Sequence, residues 1–398
     1  MKVNLIYFDN AATTWPKPPG VLDAISYCIK EVGANPGRAG HKMSVKANEM
    51  VDNTRKKLAT LFNIDSAQYE RIVFTLNATG ALNLAIKGLL KTGDHVITSS
   101  MEHNSVGRPL NALEQKGVQV TRVQCGQDGN IDTVELKKAV RPNTRLIAIT
   151  HASNVTGTVM PIEEIGKIAG EAGIKFLVDA AQTAGVLDID VKRMNIDLLA
   201  FPGHKSLLGP TGTGGLYIGD GIVLETLLEG GTGSQSELPG MPETLPERYE
   251  AGTLNTAGIF GLGAGIDFIV EKGIKTIRDH ELNLTKKFIE GSPKIPGIKI
   301  FGSLNTESRA PVVSFLINGR KTAEIGGILD KNYDIACRAG LHCSPDAHRT
   351  LGTLEQKLVR FSFSFFNTES EVNAALGYLE EIVTKNITLP GGEGGCGC

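Results

Sequence analysis

The stretch that decides the fold is the apolar run Ile174-Lys-Phe-Leu-Val-Asp179, which has the length of a β-strand and ends in a carboxylate. A second run, Asp197-Leu-Leu-Ala-Phe201, follows it and leads into Pro-Gly-His-Lys205. Outward from this pair, over residues 72–218, short apolar runs alternate with amphipathic stretches of helical length. This alternation is typical of a mostly parallel sheet with helices on both faces.

The alternating region contains seven predicted strands. They are Arg71–Phe74, His95–Thr98, Val118–Val123, Leu146–Thr150, Lys175–Val178, Leu198–Phe201 and Gly215–Ile218. The predicted helices between them are Gly80–Leu90, Ser105–Lys116, Thr133–Val140 and Ile162–Ala172. The fold class is therefore α/β, and in such sheets ligands bind at the carboxyl ends of the strands.

The pattern changes after Asn255, where two predicted helices, two strands, a third helix, the strand Leu358–Ser362 and a final helix indicate a smaller α+β domain. We predict a large domain over residues 14–255, a small domain from residues 1–13 and 256–388, and a flexible Gly/Cys tail over residues 389–398. The segment Gly230–Pro246 is rich in Gly, Pro, Ser and Thr, which predicts a mobile loop.

Composition excludes several classes of protein. The 398 residues include 41 Lys and Arg against 43 Asp and Glu, so the net charge of −2 indicates neither a nucleic-acid partner nor a polybasic membrane surface. No apolar run approaches the roughly 20 residues that span a bilayer. Six cysteines are too sparse for a disulfide framework, which favours a reduced cytoplasmic location.

An acid and a lysine follow neighbouring predicted strands, Asp179 after one and Lys205 after the other. Pyridoxal phosphate needs such a pair, because the lysine forms the Schiff base and the carboxylate pairs with the pyridine nitrogen. Taken alone, the pair also fits a strand-end Asp that caps a helix and a solvated lysine.

Three other strand ends carry polar residues. Thr79-Gly80 opens a helix and suits a phosphate, His103 follows the next strand, and Asn154 follows a third. The first two also fit an ordinary Thr cap and a structural histidine, so the argument depends on the common placement of all three. Cys337, His342, Cys343 and His348 lie close in sequence, but their spacing matches no common zinc site and we predict no metal.

Motifs along nearly the whole chain carry a family resemblance. They are Asp9-Asn-Ala-Ala-Thr13, Asn-Pro-Gly-Arg-Ala-Gly-His41, Met-Glu-His103-Asn, Val-Asp179-Ala-Ala-Gln182, Gly-His204-Lys205, Tyr-Glu-Ala-Gly252-Thr253-Leu-Asn255, Arg338-Ala-Gly-Leu-His-Cys343 and Val-Arg360-Phe-Ser. With these motifs the chain resembles the pyridoxal-phosphate enzymes of aminotransferase class V, specifically the cysteine desulfurase and selenocysteine lyase group with a short cysteine loop. The resemblance implies fold type I.

The resemblance also implies residue roles. Lys205 would form the Schiff base with the cofactor and move protons. Asp179 would pair with the pyridine nitrogen and Gln182 with the phenolic oxygen, while His103 would stack on the ring beside Asn154. The phosphate would be held by Thr79, Gly80 and His204, together with Thr253 of a second subunit. For the substrate, Ala12, His41 and Asn154 would be neighbours, Arg360 would bind the carboxylate, and Cys343 would take the sulfur. The implied partners are L-cysteine or L-selenocysteine, a second copy of the chain and a sulfur-acceptor protein, as in iron–sulfur cluster assembly.

Two features of the sequence bear on the reaction. Relatives usually carry Ser or Thr where Pro202 stands, so the phosphate site should lack one ligand. Arg338 and His342 lie near Cys343 and are expected to favour its thiolate. The implied reaction converts L-cysteine to L-alanine with a persulfide on Cys343.

Three alternatives remain open. Selenocysteine lyase is the main one, a plain aminotransferase would not need the thiol, and a carrier role would centre on Cys396 and Cys398, to which Cys343 could relay sulfur.

Overall fold

The structure is a computed structural model that describes residues 5–37 and 40–389. Its strands are β1 (Ile6–Tyr7), β2 (Ile72–Thr75), β3 (His95–Ser99), β4 (Gln119–Val123), β5 (Thr144–Thr150), β6 (Lys175–Asp179), β7 (Leu198–Pro202), β8 (Gly214–Ile218), β9 (Ile298–Phe301), β10 (Val312–Ile317), β11 (Ile335–Ala336), β12 (Arg338–Gly340) and β13 (Leu358–Ser362). Its α-helices are α1 (Pro19–Tyr27), α2 (Lys42–Leu61), α3 (Ala78–Leu89), α4 (Asn104–Glu114), α5 (Thr133–Lys138), α6 (Ile162–Ala172), α7 (Thr256–Lys272), α8 (Ile274–Gly291), α9 (Thr322–Tyr333), α10 (Pro345–Leu351) and α11 (Glu369–Thr384). None of these described helices has the length and hydropathy needed to cross a bilayer.

The central sheet has seven strands in the order β2-β8-β7-β6-β5-β3-β4. Only β8 runs against its neighbours, so the other six strands, β2, β3, β4, β5, β6 and β7, all point the same way. This confirms the predicted mostly parallel sheet of an α/β protein, with all seven predicted strands in place. The carboxyl ends of these six strands therefore lie along one edge.

The sheet is buried on both faces because successive apolar residues of its strands point to opposite sides. In β6, Phe176 belongs to one apolar cluster and Leu177 to the other, and both side chains are fully buried. In β5, Ile147 belongs to the same cluster as Phe176, and Leu146 belongs to the same cluster as Leu177. Burying one such side chain stabilises the fold by about 1.5–3 kcal/mol. The near-continuous apolar runs in the sequence thus reflect two covered faces.

A second, antiparallel sheet has the order β12-β13-β10-β9 and packs with α8, α9 and α11 around its own apolar cluster. Strand β1 pairs in parallel with β11, and Asp9 forms a bridge to Ser362 in β13. Helix α11 begins with a capping box between Thr368 and Glu371. The domain division at residues 13/14 and 255/256 stays a prediction. Between Ile218 and Glu247 the chain forms no helix or strand, as expected for the Gly- and Pro-rich segment.

Candidate active site

The polar residues that follow five strands converge on one cavity of about 200 Å³ at the carboxyl edge of the central sheet. Seven predicted site residues line it: Thr79, His103, Asn154, Asp179, Gln182, His204 and Lys205. Gly80, Ala12, His41, Thr253, Arg360 and Cys343 do not line it. The common placement on which the sequence argument depended is therefore present in the structure.

Asp179 and Lys205 face this cavity from the neighbouring strands β6 and β7. Burial raises the pKa of Asp179, while the Ala181 amide, 2.9 Å from Asp179 Oδ1, and the charge of Lys205 oppose the rise. Burial also lowers the pKa of Lys205 to about 8, against the opposing effect of Asp179. A lysine with this pKa exists partly as the neutral amine near physiological pH, as a nucleophile or base must.

A tight turn places Lys205 beyond the end of β7. The Gly203 N–H donates to the Thr213 carbonyl at 2.8 Å, and the Gly209 N–H donates to the Gly203 carbonyl at 2.8 Å. A Cβ on Gly203 would lie 2.2 Å from Thr213 Oγ1, so only glycine fits there. The Gly-rich run after Lys205 thus forms part of a turn beside the lysine.

His103 caps α4, and this fixes its ring. Its Nδ1 accepts the Ser105 N–H at 3.1 Å, so the proton of the neutral ring lies on Nε2. The Ser105 hydroxyl lies 2.9 Å from that Nδ1 and 2.8 Å from Thr79 Oγ1, which links the two predicted residues. Burial and the nearby Lys205 charge lower the pKa of His103 to about 4, so the ring is neutral.

Donors for an anion gather at the N-terminus of α3 and at His204. The first amides of α3 have no acceptor within the helix, although the Gly80 N–H already donates to Asn77 Oδ1 at 2.9 Å. His204 Nδ1 is buried and has no hydrogen-bond partner among the described residues. The pKa of His204 falls to about 4, mainly through burial. Pro202 lines the same cavity and offers neither hydroxyl nor N–H.

Arg360 lies buried beside the cavity and is already partly engaged. Its Nη2 donates to Asp9 Oδ1 at 2.8 Å and its Nη1 to the Asn154 carbonyl at 3.1 Å. Its Nε is buried without a partner among the described residues, which leaves one N–H edge for a further acceptor. Asp9 Oδ2 also accepts from Arg338 Nη2 at 3.0 Å.

Cys343 is an exposed, free thiol on the loop between β12 and α10. Arg360 is close enough for the two charges to interact. Burial lowers the pKa of His342 well below its usual value, with the Arg360 charge adding to the effect. The expectation that His342 would favour the thiolate is therefore wrong, since a buried neutral ring supplies no positive charge.

The remaining predicted residues lie at the periphery. Ala12 belongs to the loop that follows β1, which packs against the site because the adjacent Ala11 carbonyl accepts from Gln182 Nε2 at 3.1 Å. His41 caps α2 by accepting the Ser44 N–H at 3.2 Å. Thr253 lines a second cavity of about 700 Å³, next to α2, in which Lys205 takes no part.

Sequence reasoning missed three polar residues at this site: Asp9, Lys17 and Ser105. Ser105 stands two residues after a histidine at a helix start, which is a recognisable capping pattern. Lys17 donates to the His204 carbonyl at 2.6 Å, and burial lowers its pKa to about 8. Nothing in the local sequence around Lys17 or Asp9 signals these contacts, because their partners are far away in the chain.

Comparison with known proteins decides the family. The model of the aminotransferase class-V family matches residues 6–375. The chain belongs to the aminotransferase class-V family. Within that family it is 37% identical over 388 residues to a probable cysteine desulfurase of Methanothermobacter thermautotrophicus, covering 95% of this chain and 94% of that protein. It is 34% identical over 388 residues to a cysteine desulfurase of Salmonella dublin, covering 95% and 93%.

A solved structure of the same family shows the same fold. The apo structure of a cysteine desulfurase from Thermococcus onnurineus NA1 superposes with a TM-score of 0.90 and 36% sequence identity, over 96% of this chain and 95% of that one. The matches to these class-V relatives cover both sheets of this chain. The predicted tail cysteines, Cys396 and Cys398, lie outside the described residues.

Proposed function

We propose that this class-V protein is a pyridoxal-phosphate-dependent cysteine desulfurase that converts L-cysteine to L-alanine and retains the sulfur on Cys343. The observation that carries the proposal is the position of an exposed thiol on a loop bonded to Asn154, a residue in the wall of the Lys205 cavity. A plain aminotransferase has no use for this thiol. The 34–37% identical relatives named as cysteine desulfurases support the same assignment.

The donor set of the cavity fits pyridoxal phosphate. Lys205 would hold the aldehyde carbon, Asp179 the pyridine nitrogen and Gln182 the phenolic oxygen. The unpartnered His204 Nδ1 and the helix start at Thr79 suit the phosphate. When bound, the cofactor supplies an electron-withdrawing ring that stabilises negative charge on the substrate Cα.

The chain's own residues then bind the substrate and move its protons. The free Nε edge of Arg360 would donate charge-assisted hydrogen bonds to the substrate carboxylate. Lys205 Nζ, with its pKa lowered to about 8, would take the Cα proton and return a proton to carbon. His103 is held as a neutral ring over the cavity by its bond to Ser105.

Sulfur transfer to Cys343 balances without an external oxidant or reductant. The Cys343 thiolate forms an S–S bond with the substrate sulfur, and the substrate Cβ–S bond breaks with its electron pair left on the carbon skeleton. Protonation of that carbon gives L-alanine. The sum is L-cysteine plus a thiol giving L-alanine plus a persulfide, so the carbon is reduced and the sulfur is oxidised by the same amount.

Two partners belong to the proposal. A second copy of the chain would bring Thr253 to the phosphate site, because Thr253 lines the cavity beside α2 and not the cavity of its own Lys205. A sulfur-acceptor protein would discharge the persulfide from Cys343. The free thiol of Cys343 fits a reducing cytoplasm.

The test is L-alanine release from L-cysteine and from L-selenocysteine by the wild type and by Cys343→Ala. We expect the substitution to abolish release from cysteine. The protein would instead be a selenocysteine lyase if two results came together: Cys343→Ala releases alanine from L-selenocysteine at the wild-type rate, and the wild type turns over L-cysteine poorly. No alanine from either substrate would refute both activities.

A further inference from the structure

The loop that carries Cys343 is bonded to the rest of the site at three consecutive residues. The His342 carbonyl accepts from Asn154 Nδ2 at 2.6 Å, and the Ser344 hydroxyl donates to Asn154 Oδ1 at 2.7 Å. The Cys343 carbonyl accepts from the Asn104 N–H at 2.8 Å. Both neighbours of the cysteine are therefore held by one side chain, that of Asn154.

These hydrogen bonds fix which way the Asn154 side-chain amide faces. A carbonyl can only accept, so the amide nitrogen of Asn154 must face His342 and its amide oxygen must face Ser344. The Ser344 hydroxyl donates to that oxygen and so ties the residue after Cys343 to Asn154. Without that hydroxyl the His342 carbonyl still orients the amide, but the loop loses one of its two hydrogen bonds to Asn154.

Ser344 occupies a helix-capping position but does not cap. It immediately precedes α10, where a serine side chain ordinarily accepts an N–H of the first turn. Here the side chain makes no capping bond, and its hydroxyl bonds Asn154 instead. Ser344 is 0% exposed, so the hydroxyl has no access to water. The helix start forgoes its usual stabilisation in favour of the contact with the cavity wall.

The backbone of the loop also needs external support. His342 and Cys343 have φ angles of 53° and 58°, in the left-handed region that residues with a Cβ adopt at a cost. Two such residues in succession persist only where the surrounding contacts hold them. The bonds to Asn154 and Asn104 are contacts of this kind.

We infer that Ser344 is a positioning residue for sulfur transfer: by bonding the Asn154 amide, its hydroxyl holds the loop and with it the Cys343 thiol in place beside the cavity. The inference rests on the proposed function of Cys343. Ser344 does not line the Lys205 cavity and acts through Asn154, which does. Because attack on sulfur requires an aligned nucleophile, a displaced Cys343 slows this reaction, whereas proton movement at Lys205 does not involve the thiol.

The experiment separates these two reactions in the holoenzyme. Persulfide formation is measured as L-alanine release from L-cysteine, and Lys205 chemistry is measured as exchange of the α-proton of L-alanine in D2O. Ser344→Ala removes the hydroxyl, and Ser344→Thr retains one. Ser292→Ala is the matched control, since it deletes a buried hydroxyl that bonds the Ile289 carbonyl far along the chain from the loop.

We expect Ser344→Ala to lower kcat for alanine release by about tenfold to a hundredfold, because misplacement of a reacting group has effects of this size. KM for L-cysteine and the rate of α-proton exchange should change by less than about twofold, since neither requires an aligned thiol. Ser344→Thr should recover most of the lost rate, and Ser292→Ala should behave as the wild type.

Three results would overturn the inference. One is an unchanged kcat in Ser344→Ala, and another is a loss that the threonine variant fails to recover. The third is a parallel loss of α-proton exchange, which would mean that Ser344 supports the whole cavity. If Cys343→Ala still released alanine from L-cysteine, the proposed function would fail. If Cys343→Ala were inactive while Ser344→Ala kept the wild-type rate, only the inference about Ser344 would fail.

Discussion

Asp9 and Arg360 form an ion pair that joins the N-terminal segment to the antiparallel sheet, with Asp9 Oδ1 2.8 Å from Arg360 Nη2. The side chain of Arg360 is only 3% exposed, and that of Asp9 is 16% exposed. The second oxygen of Asp9 binds Arg338. One carboxylate thus compensates two guanidinium groups, one of which is the proposed substrate-binding group.

Asp9→Asn should destabilise the protein more than the loss of any surface ion pair. Removing one partner leaves a buried guanidinium without its counter-charge, which costs about 3 kcal/mol. Glu163→Gln is the control, because its partner Arg193 is exposed and such pairs contribute at most about 1 kcal/mol. The measurement is the free energy of unfolding in urea. Equal losses for the two variants would refute the structural importance of the Asp9–Arg360 pair.

The reactivity of Lys205 should rise at a lower pH than that of other lysines. Burial lowers its pKa from 10.5 to about 8, so in protein freed of cofactor the reactive neutral amine appears as the pH passes through about 8. Lys138 serves as the internal reference, since its hydrogen bond to Glu135 raises its pKa. Labelling with an amine-specific acylating reagent, followed by peptide mapping, gives both profiles. A midpoint for Lys205 near 10.5 would contradict the prediction.

The lowered pKa of Lys205 also makes the folding stability of the cofactor-free protein depend on pH. Between pH 8 and pH 10.5 the unfolded chain holds a proton on Lys205 that the folded, cofactor-free protein does not. The unfolded state therefore binds more protons in this window, and the contribution of Lys205 to stability rises with pH. Lys205→Met should remove that contribution, which comparison of unfolding free energies at pH 7.5 and pH 10 would reveal.

Pro202→Ser should tighten the binding of pyridoxal phosphate. The substitution places a hydroxyl in the cavity that His204 and Lys205 line. A hydrogen bond to a charged group contributes about 1.5 kcal/mol, or about tenfold in Kd. Fluorescence titration of cofactor-free protein measures the change, with Pro161→Ser, before α6 and outside the cavity, as the control. Unchanged affinity would mean that the phosphate does not lie near Pro202.

Mixing two defective variants tests whether Thr253 acts across a dimer. Lys205→Ala has no reactive lysine, and Thr253→Ala should have a weakened phosphate site. In a mixed dimer, the subunit that keeps Lys205 would receive a native Thr253 from its partner. Mixing after reversible dissociation should therefore raise alanine release above the average of the separate variants. Activity equal to that average would place Thr253 outside the partner's site.

Local patterns in the sequence predicted most of the fold. The alternation of apolar runs gave all seven strands of the central sheet, and helix Ile162–Ala172 and strand Leu358–Ser362 have their predicted bounds. Strands β1, β11 and β12 have only two or three residues, too few for a periodic signal. Helix α10 was also missed, since it spans seven residues behind a serine that does not cap it.

The candidate site also contains some residues that local sequence patterns predict and others that they do not. Asp179, His103 and Lys205 could be predicted because each follows a recognisable strand and the fold brings strand ends together. The contacts of Asp9 with Arg360 and of Ser344 with Asn154 join residues that are 351 and 190 positions apart. The first contact forms where the N-terminal segment pairs with β13, and the second where loops that follow strands of the two sheets meet, so no local pattern encodes either.

The most direct test of sulfur transfer to Cys343 is the mass of the Cys343 peptide after a single turnover with ³⁴S-labelled L-cysteine. The protein is quenched with an alkylating reagent, digested without reductant and compared with Cys343→Ala treated in the same way. The account predicts one added ³⁴S atom on the Cys343 peptide and one equivalent of L-alanine. Release of L-alanine with no label on Cys343, or with the label on another cysteine, would contradict it.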